Sequence, residues 1–575
     1  MSVKFIKIGF ILILVALIIV TYFSPVHRWA DGSTYFMQID SISHDLDIRY
    51  EQKDIERIFQ NRFDDLPAGL WLMKNDNGDL FYAKEFTYAL VASPFYTLLG
   101  KNGILVFNSV MFFLMIYMGY LYLRHRNSSK ISFLISTLFF VLSTTFVYIF
   151  WIHTEIYNMF LITLGFFLWF NYLYQIDNSS GNRALIYLSL SALVLGFAAY
   201  AKTPSTVCIL PLLLCEAYFR RCKNFILVSG LFIIMVLLLY GTFYAMTGSA
   251  TPYTFQYYFV DKYPFLEGSD SNCSILATPI IGELIKSSIL SLAGFQKISY
   301  NIFYYLFGRF AGIFWYYPSI LLGIICWFGF LGRKTHSNTD LGCLLMLLPI
   351  ILYIFEYIFL DYDNLFINYF GGGHAVGNRL FYIYPAFLFL INKIEFNKKT
   401  IITILLVLSI SFIFVAPIIS HPIETSISPM EHTTHMPFKA LPLEYTELNN
   451  LPLWSPPVVI INNTTFYFTQ SNIEVYDNSL IIDGPYPELL FKSTPITTYR
   501  IHLLNSQESK HIVLKSGEFK KEIILNASQG ELIDLPAEPI FKINNKEYLY
   551  KLDISILPEF LSDNKLVFNL IGKSD

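Results

Sequence analysis

Asp31 follows the first long apolar run and opens a short polar stretch, a position from which a carboxylate could take the proton of an attacking hydroxyl. Lys84 and Glu85 stand together before a short apolar segment, and a lysine ammonium is a compact point charge suited to a phosphate. His153 and Glu155 begin another apolar run, Lys202 precedes Pro204 at the end of the next, and Arg309 sits at a polar interruption further on. Gly371, Gly372 and Gly373 precede His374 and Arg379; glycines allow close backbone approach, and a guanidinium can hold a phosphate through two parallel hydrogen bonds. Carboxylates that move a proton and cations that hold an anion are together the parts of a site that transfers a group from a phosphate ester.

Each residue also has a plainer account. Asp31 could only help the chain turn at Gly32. Lys84, Lys202 and Arg309 could snorkel to a membrane surface, and Glu155 could only complement a helix dipole. Asp40 reads equally well as a surface-helix charge. Ionisable groups beside apolar spans are costly unless they face a bundle interior, which keeps the functional reading in play.

What must position these groups is set by the rest of the chain. Of its 575 residues, 54% are hydrophobic, 18% aromatic and 14% charged, with a mean hydropathy of +0.48. A soluble domain carries roughly 25% charged residues, so most of this chain is built for lipid. The formal net charge of -3 offers no basic excess for nucleic-acid phosphates. Five of the six cysteines lie in or beside apolar runs, so no disulfide framework is drawn.

Apolar stretches of about 18 to 22 residues suffice to cross hydrocarbon. About eleven spans are expected: Ile6 to Phe23, Gly103 to Leu123, Ile131 to Phe150, Ile156 to Tyr174, Ala184 to Ala201, Pro204 to Phe219, Phe225 to Met246, Gly312 to Leu331, Leu341 to Leu360, Arg379 to Asn392 and Thr400 to Ser420. The first reads as an anchor, since no small-residue cleavage site follows it. Phe86 to Leu99, short and holding Pro94, reads as interfacial or re-entrant. Lys and Arg gather in every second loop, which places the N-terminus inside and leaves loops 24–102 and 247–310 and everything after residue 420 outside. Residues 421–457, rich in Pro, His and Thr, read as a linker; from 458 to 575 period-two alternation reads as a β-sandwich-like domain on the extracytoplasmic side.

Several stretches are familiar in order and sidedness: Trp29-Ala30-Asp31-Gly32-Ser33-Thr34-Tyr35, Phe81-Tyr82-Ala83-Lys84-Glu85, Trp151-Ile152-His153-Thr154-Glu155, Ala201-Lys202-Thr203-Pro204, Gly308-Arg309-Phe310-Ala311-Gly312, and the run from Gly371 through His374 to Arg379. Across residues 1–420 they resemble the GT-C-fold membrane glycosyltransferases, in pattern the protein mannosyltransferase and aminoarabinose transferase group. One departure stands out: that second group usually follows the loop lysine with two prolines, whereas Lys84 is followed by Glu85 and Phe86.

The resemblance implies a polytopic α-helical protein of the cytoplasmic (inner) membrane that moves a sugar, with inversion, from a polyprenyl-phosphate donor to a glycan, lipid or protein acceptor on the outer face. It further implies Asp31 as general base, with Lys84, Glu85, His153, Glu155, Lys202, Arg309, His374 and Arg379 binding donor phosphate or substrate. No cofactor is expected and no metal site is assigned; the triplets Asp45-Leu46-Asp47 and Asp361-Tyr362-Asp363 leave a divalent metal as an option. The rival readings are a polyprenyl-lipid transporter or flippase, against which stands the lack of inverted repeats, and a non-catalytic glycan-binding membrane protein.

Overall fold

In a computed structural model, described residues are 3–27, 31–60, 69–178, 183–252, 256–259, 263–265, 274–276, 292–331, 337–359, 375–395 and 397–444, then the strands given below with connections 517–518, 526, 529 and 537–538. The helical part begins with α1 (Val3–Tyr22), α2 (Asp31–Asp45), α3 (Gln52–Gln60), α4 (Phe86–Leu99), α5 (Gly103–Arg124) and α6 (Ser129–Val141). It continues with α7 (Glu155–Asn178), α8 (Arg183–Ala201), α9 (Leu210–Tyr218), α10 (Cys222–Thr247), α11 (Leu292–Phe307), α12 (Ile313–Tyr316), α13 (Ile320–Leu331), α14 (Asn338–Leu345), α15 (Leu347–Phe359) and α16 (Lys398–Ile410).

Among the described residues, seven helical stretches are long and apolar enough to cross a membrane, or eight if the bent piece at residues 129–150 counts as one. The expectation of about eleven spans is therefore not confirmed, and the reason is local. The stretch 131–150 breaks between α6 and a 3-10 segment, Thr144–Phe150, with a bend of 66°. Pro204 and Pro211 open a 3-10 segment, Thr203–Ile209, and the short α9. Of residues 312–331 only the 12 residues of α13 form one longer helix. Residues 379–392 hold a 3-10 segment, Tyr384–Leu390, opened by Pro385 and buried throughout. Proline removes a donor, and irregular backbone at membrane depth survives only where protein covers it.

The helices alternate in direction between two polar ends. At one end, Asn102 Nδ2 donates to Ser24 O at 2.6 Å, joining the exit of α1 to the start of α5. At the other, Arg126 after α5 pairs with Asp340 at 2.6 Å, Asp177 accepts from the Asn338 and Thr339 amides, and Arg221 pairs with Glu216 at 3.4 Å. Close contact needs small residues between them: a Cβ on Gly119 would stand 2.6 Å from Leu388, and one on Gly165 2.5 Å from Leu195.

The loops at the first end are structured. β1 (Leu70–Lys74) and β2 (Leu80–Tyr82) join β3 (Gln256–Phe259) and β4 (Ser274–Leu276) in an antiparallel sheet of order β2-β1-β3-β4, which ties the two long loops together. α2, buried from Gly32 to Ile42, packs on α4. The 39 residues from Phe86 to Arg124 form one candidate span; at about 1.5 Å per residue they reach roughly 58 Å, about twice a hydrocarbon core, so α4 extends past it.

The C-terminal strands are β5 (Val459–Ile461), β6 (Thr464–Phe468), β7 (Ile473–Tyr476), β8 (Ser479–Asp483), β9 (Glu488–Ser493) and β10 (Thr498–Asn505). They continue through β11 (Lys510–Ser516), β12 (Phe519–Leu525), β13 (Gly530–Pro536), β14 (Pro539–Lys542), β15 (Tyr548–Ile556) and β16 (Lys565–Ser574). They make a five-stranded sheet, β13-β10-β16-β8-β7, and a seven-stranded one, β12-β11-β15-β9-β6-β5 with β14 on β15. Tyr499, Ile501, Leu503, Ile533 and Leu535 of the first sheet share one core with Ile512, Leu514, Tyr550, Leu552 and Ile554 of the second, the interdigitation expected of a sandwich.

Candidate functional site

Six helix ends and strand exits bring the sequence candidates together. Asp31 is the first residue of α2, Glu85 caps the start of α4 and Glu155 is the first residue of α7, so three carboxylates sit at positive ends of helix dipoles. Lys202 follows α8, a negative end that suits a cation. Lys84 lies between β2 and α4, and Arg379 precedes the buried 3-10 segment.

Asp31 is the centre of the arrangement. Lys84 Nζ stands 2.7 Å from its Oδ1 and Arg379 Nη2 3.5 Å from its Oδ2, while its side chain remains 24% accessible. Burial by itself would raise its carboxyl; Lys84 and Arg379 outweigh that and hold it well below the usual carboxylate range. His153 packs over the start of α2, where a Cβ on Gly32 would meet its Nε2 at 3.3 Å. Burial first, and then Arg379, push the His153 imidazole down to about 3, so it stays neutral. Its Nδ1 lies 3.7 Å from Glu155 Oε1.

A second pair flanks the first. Lys202 Nζ is 3.8 Å from Glu85 Oε1, and Tyr35 OH donates to Glu85 Oε2 at 3.3 Å. Burial opposes the charge on Lys202, yet the groups around it, Glu85 first, outweigh that and hold the ammonium above its ordinary range. Gln38 Nε2 donates to Lys84 O at 3.1 Å, and the Lys84 ammonium lies 5.5 Å from the Trp71 ring centre.

Seven of the nine candidates thus meet: Asp31, Lys84, Glu85, His153, Glu155, Lys202 and Arg379. Arg309 is held by a different segment. Its Nη2 donates to Lys439 O at 2.8 Å and its Nε to Leu441 O at 3.3 Å, and the amides of Phe310 and Ala311 donate to Glu444. These partly buried backbone carbonyls hold the Arg309 guanidinium against the segment 439–441. Residues 421–444, part of the stretch read as a linker, pack on the helices: Phe438 and Glu444 are buried, His432 Nε2 is 2.9 Å from Tyr316 OH, and Trp151 Nε1 donates to Ser426 O at 3.1 Å. His374, the three glycines before it, Asp361 and Asp363 lie outside the described residues.

Asp40 serves the fold: it accepts from Arg57 at 2.9 Å and from Tyr96 OH at 2.7 Å. Asp45 and Asp47 are engaged by Lys53, and Asp45 also by Arg57. Among the described residues no group of three metal-ligating side chains gathers.

Sequence reasoning missed Tyr35, Gln38 and Trp71. Tyr35 and Gln38 follow Asp31 by four and seven positions and so share its helix face; the signal was legible once α2 is started at Asp31. Trp71 is brought to Lys84 by strand pairing, for which no local signal exists.

Fold and site together define a multi-pass membrane protein with a charged centre gathered at one end of its helices. No model of a known protein family matches the chain, and no curated protein matches it. Among solved structures it is similar to the arabinosyltransferase EmbB of Mycobacterium smegmatis, with a TM-score of 0.36 and 9% identity over 98% of this chain and 64% of that one. The chain spans just under two thirds of that protein's length, and a likeness of this degree assigns no activity.

Proposed function

We propose that the protein is a membrane glycosyltransferase that moves a sugar from a polyprenyl-phosphate donor to an acceptor hydroxyl, with Asp31 as general base and Lys84 and Arg379 holding the donor phosphate. The observation that carries the reading is a partly accessible carboxylate set between two cations at the mouth of a helix bundle. In the reaction the acceptor oxygen attacks the anomeric carbon, the bond from that carbon to the phosphate oxygen breaks, the phosphate leaves with the electron pair, and the acceptor proton passes to a carboxylate.

A carboxylate held as firmly ionised as Asp31 is a weak base while both cations face it. An arriving phosphate competes for Lys84 and Arg379. As they turn to it, burial becomes the dominant influence on Asp31 and its proton affinity rises, so the base is strengthened by the binding of the donor. The same cations then stabilise the negative charge that develops on the leaving phosphate in a site of low dielectric.

The site end, the small sheet and the C-terminal domain are assigned to the extracytoplasmic side, on the loop charges read from sequence. The test is a liposome assay with the purified protein and radiolabelled undecaprenyl-phosphate sugars. Labelled product that is lost with Asp31→Asn supports the reading; translocation of the lipid without transfer, or binding alone, overturns it in favour of a transporter or a binding protein.

A further inference from the structure

The first turn of α7 presents more than the proposed phosphate site uses. Glu155 and Asn158 lie three residues apart on one helix face, and they are 2% and 1% exposed. Three of their polar atoms, Glu155 Oε2 and both Asn158 Oδ1 and Nδ2, have no hydrogen-bond partner among the described residues. Buried polar groups are almost always satisfied, and each left alone costs about 1 to 3 kcal/mol. Three on one helical turn, beside a charged centre that Glu155 joins through His153 Nδ1 at 3.7 Å, call for a polar occupant.

We infer that Glu155 and Asn158 read adjacent hydroxyls of the donor's sugar ring, which makes the donor's head group a neutral, hydroxyl-bearing sugar; the inference rests on the proposed donor-phosphate site. The chemistry selects this class. A second phosphate would be repelled by the Glu155 carboxylate, and a cationic amino group by Lys202 and Arg379 of the adjoining charged centre. A sugar hydroxyl can donate to Glu155 Oε2 and to Asn158 Oδ1, and its oxygen can accept from Asn158 Nδ2, so two neighbouring hydroxyls satisfy all three atoms. His153 joins the two places, its ring against the start of α2 and its Nδ1 3.7 Å from Glu155 Oε1, so a ring attached to a phosphate at Lys84 and Arg379 would lie next to the first turn of α7.

The test is equilibrium binding by the purified protein in nanodiscs. The probes are bare undecaprenyl phosphate and the same lipid carrying glucose, galactose, mannose or arabinose. The native protein should bind at least one glycolipid about tenfold or more tighter than the bare lipid, the size of one or two hydrogen bonds to buried polar groups. Asn158→Leu should erase that preference, leave bare-lipid affinity unchanged, and keep or raise the melting temperature, because it replaces an unsatisfied amide by an apolar group of similar shape. Glu155→Gln should reduce the preference in the same sense. A native protein that binds the bare lipid but prefers none of the four glycolipids overturns the inference and leaves the phosphate site standing. So does a preference that survives Asn158→Leu, or a Leu variant that melts lower and loses both lipids together. Failure of the native protein to bind bare lipid phosphate overturns the phosphate site and, with it, this inference.

Discussion

Replacing Asp31 by Asn should move turnover and donor affinity in opposite directions. The amide cannot take the acceptor proton, and a positioned general base contributes about 10² to 10⁴ in rate, or roughly 3 to 5 kcal/mol of barrier. Donor binding responds differently, because Asp31 competes with the phosphate for Lys84 at 2.7 Å and Arg379 at 3.5 Å. With an effective dielectric constant of about 20, those separations correspond to roughly 6 and 5 kcal/mol of bare attraction. Desolvation and screening offset most of it, and partly accessible pairs retain about 1 kcal/mol each. Releasing both cations should therefore tighten binding of undecaprenyl phosphate by about five- to thirtyfold. The assay pairs single-turnover transfer with lipid-phosphate binding on one nanodisc preparation. An Asn variant that transfers sugar at near the native rate, or that binds lipid phosphate more weakly, refutes the reasoning and leaves Asp31 as a counter-ion that builds the site. Because Asp31 is held well below the usual carboxylate range, kcat/KM in the native protein should show no acid limb from this group between pH 5 and about 8.

Lys84→Ala and Arg379→Ala should each weaken lipid-phosphate binding by about tenfold to a hundredfold, as the loss of a charge-assisted contact would; unchanged affinity in both removes their role. Arg309→Ala should instead lower stability by roughly 2 to 3 kcal/mol through the lost bonds to Lys439 and Leu441, with lipid-phosphate affinity intact, and a selective loss of affinity would return Arg309 to the site. Burial first, against the pull of the Phe310 and Ala311 amides, raises Glu444 from 4.5 to about 7. Its favourable contribution is thus complete below about pH 4.5 and is lost as pH rises toward 7, so thermal stability should fall over that window by on the order of 2 to 3 kcal/mol and Glu444→Gln should flatten the fall. A cysteine introduced at the exposed Glu518 in a cysteine-free background should label from outside intact cells; labelling only after permeabilisation would reverse the assigned orientation and the side of the site with it.

The sequence by itself determined the solvent of this chain and the kinds of group available for chemistry. Long apolar runs force helices, since a backbone in lipid must satisfy its own hydrogen bonds, and α1, α7, α8, α10 and the stretch 398–420 fall where hydropathy puts them. Alternation after residue 458 likewise foretold strands, because one face of each must be buried. Polar residues at the ends of apolar runs marked Asp31, Lys84, Glu155, Lys202 and Arg379 one at a time. Only the tertiary structure decided that Lys84 and Arg379 pair with Asp31, Lys202 with Glu85 and Glu155 with His153, across 349 positions from residue 31 to residue 379, and that Arg309, placed by the same local logic, is held by the carbonyls of residues 439 and 441. Span continuity was equally out of reach of hydropathy, which counts apolar side chains and is blind to the prolines at 204, 211 and 385 being tolerated inside a packed interior. The physical reason is common to all of these: burial and helix ends are local properties, whereas a partner for a charge is chosen by whichever segment packs against it.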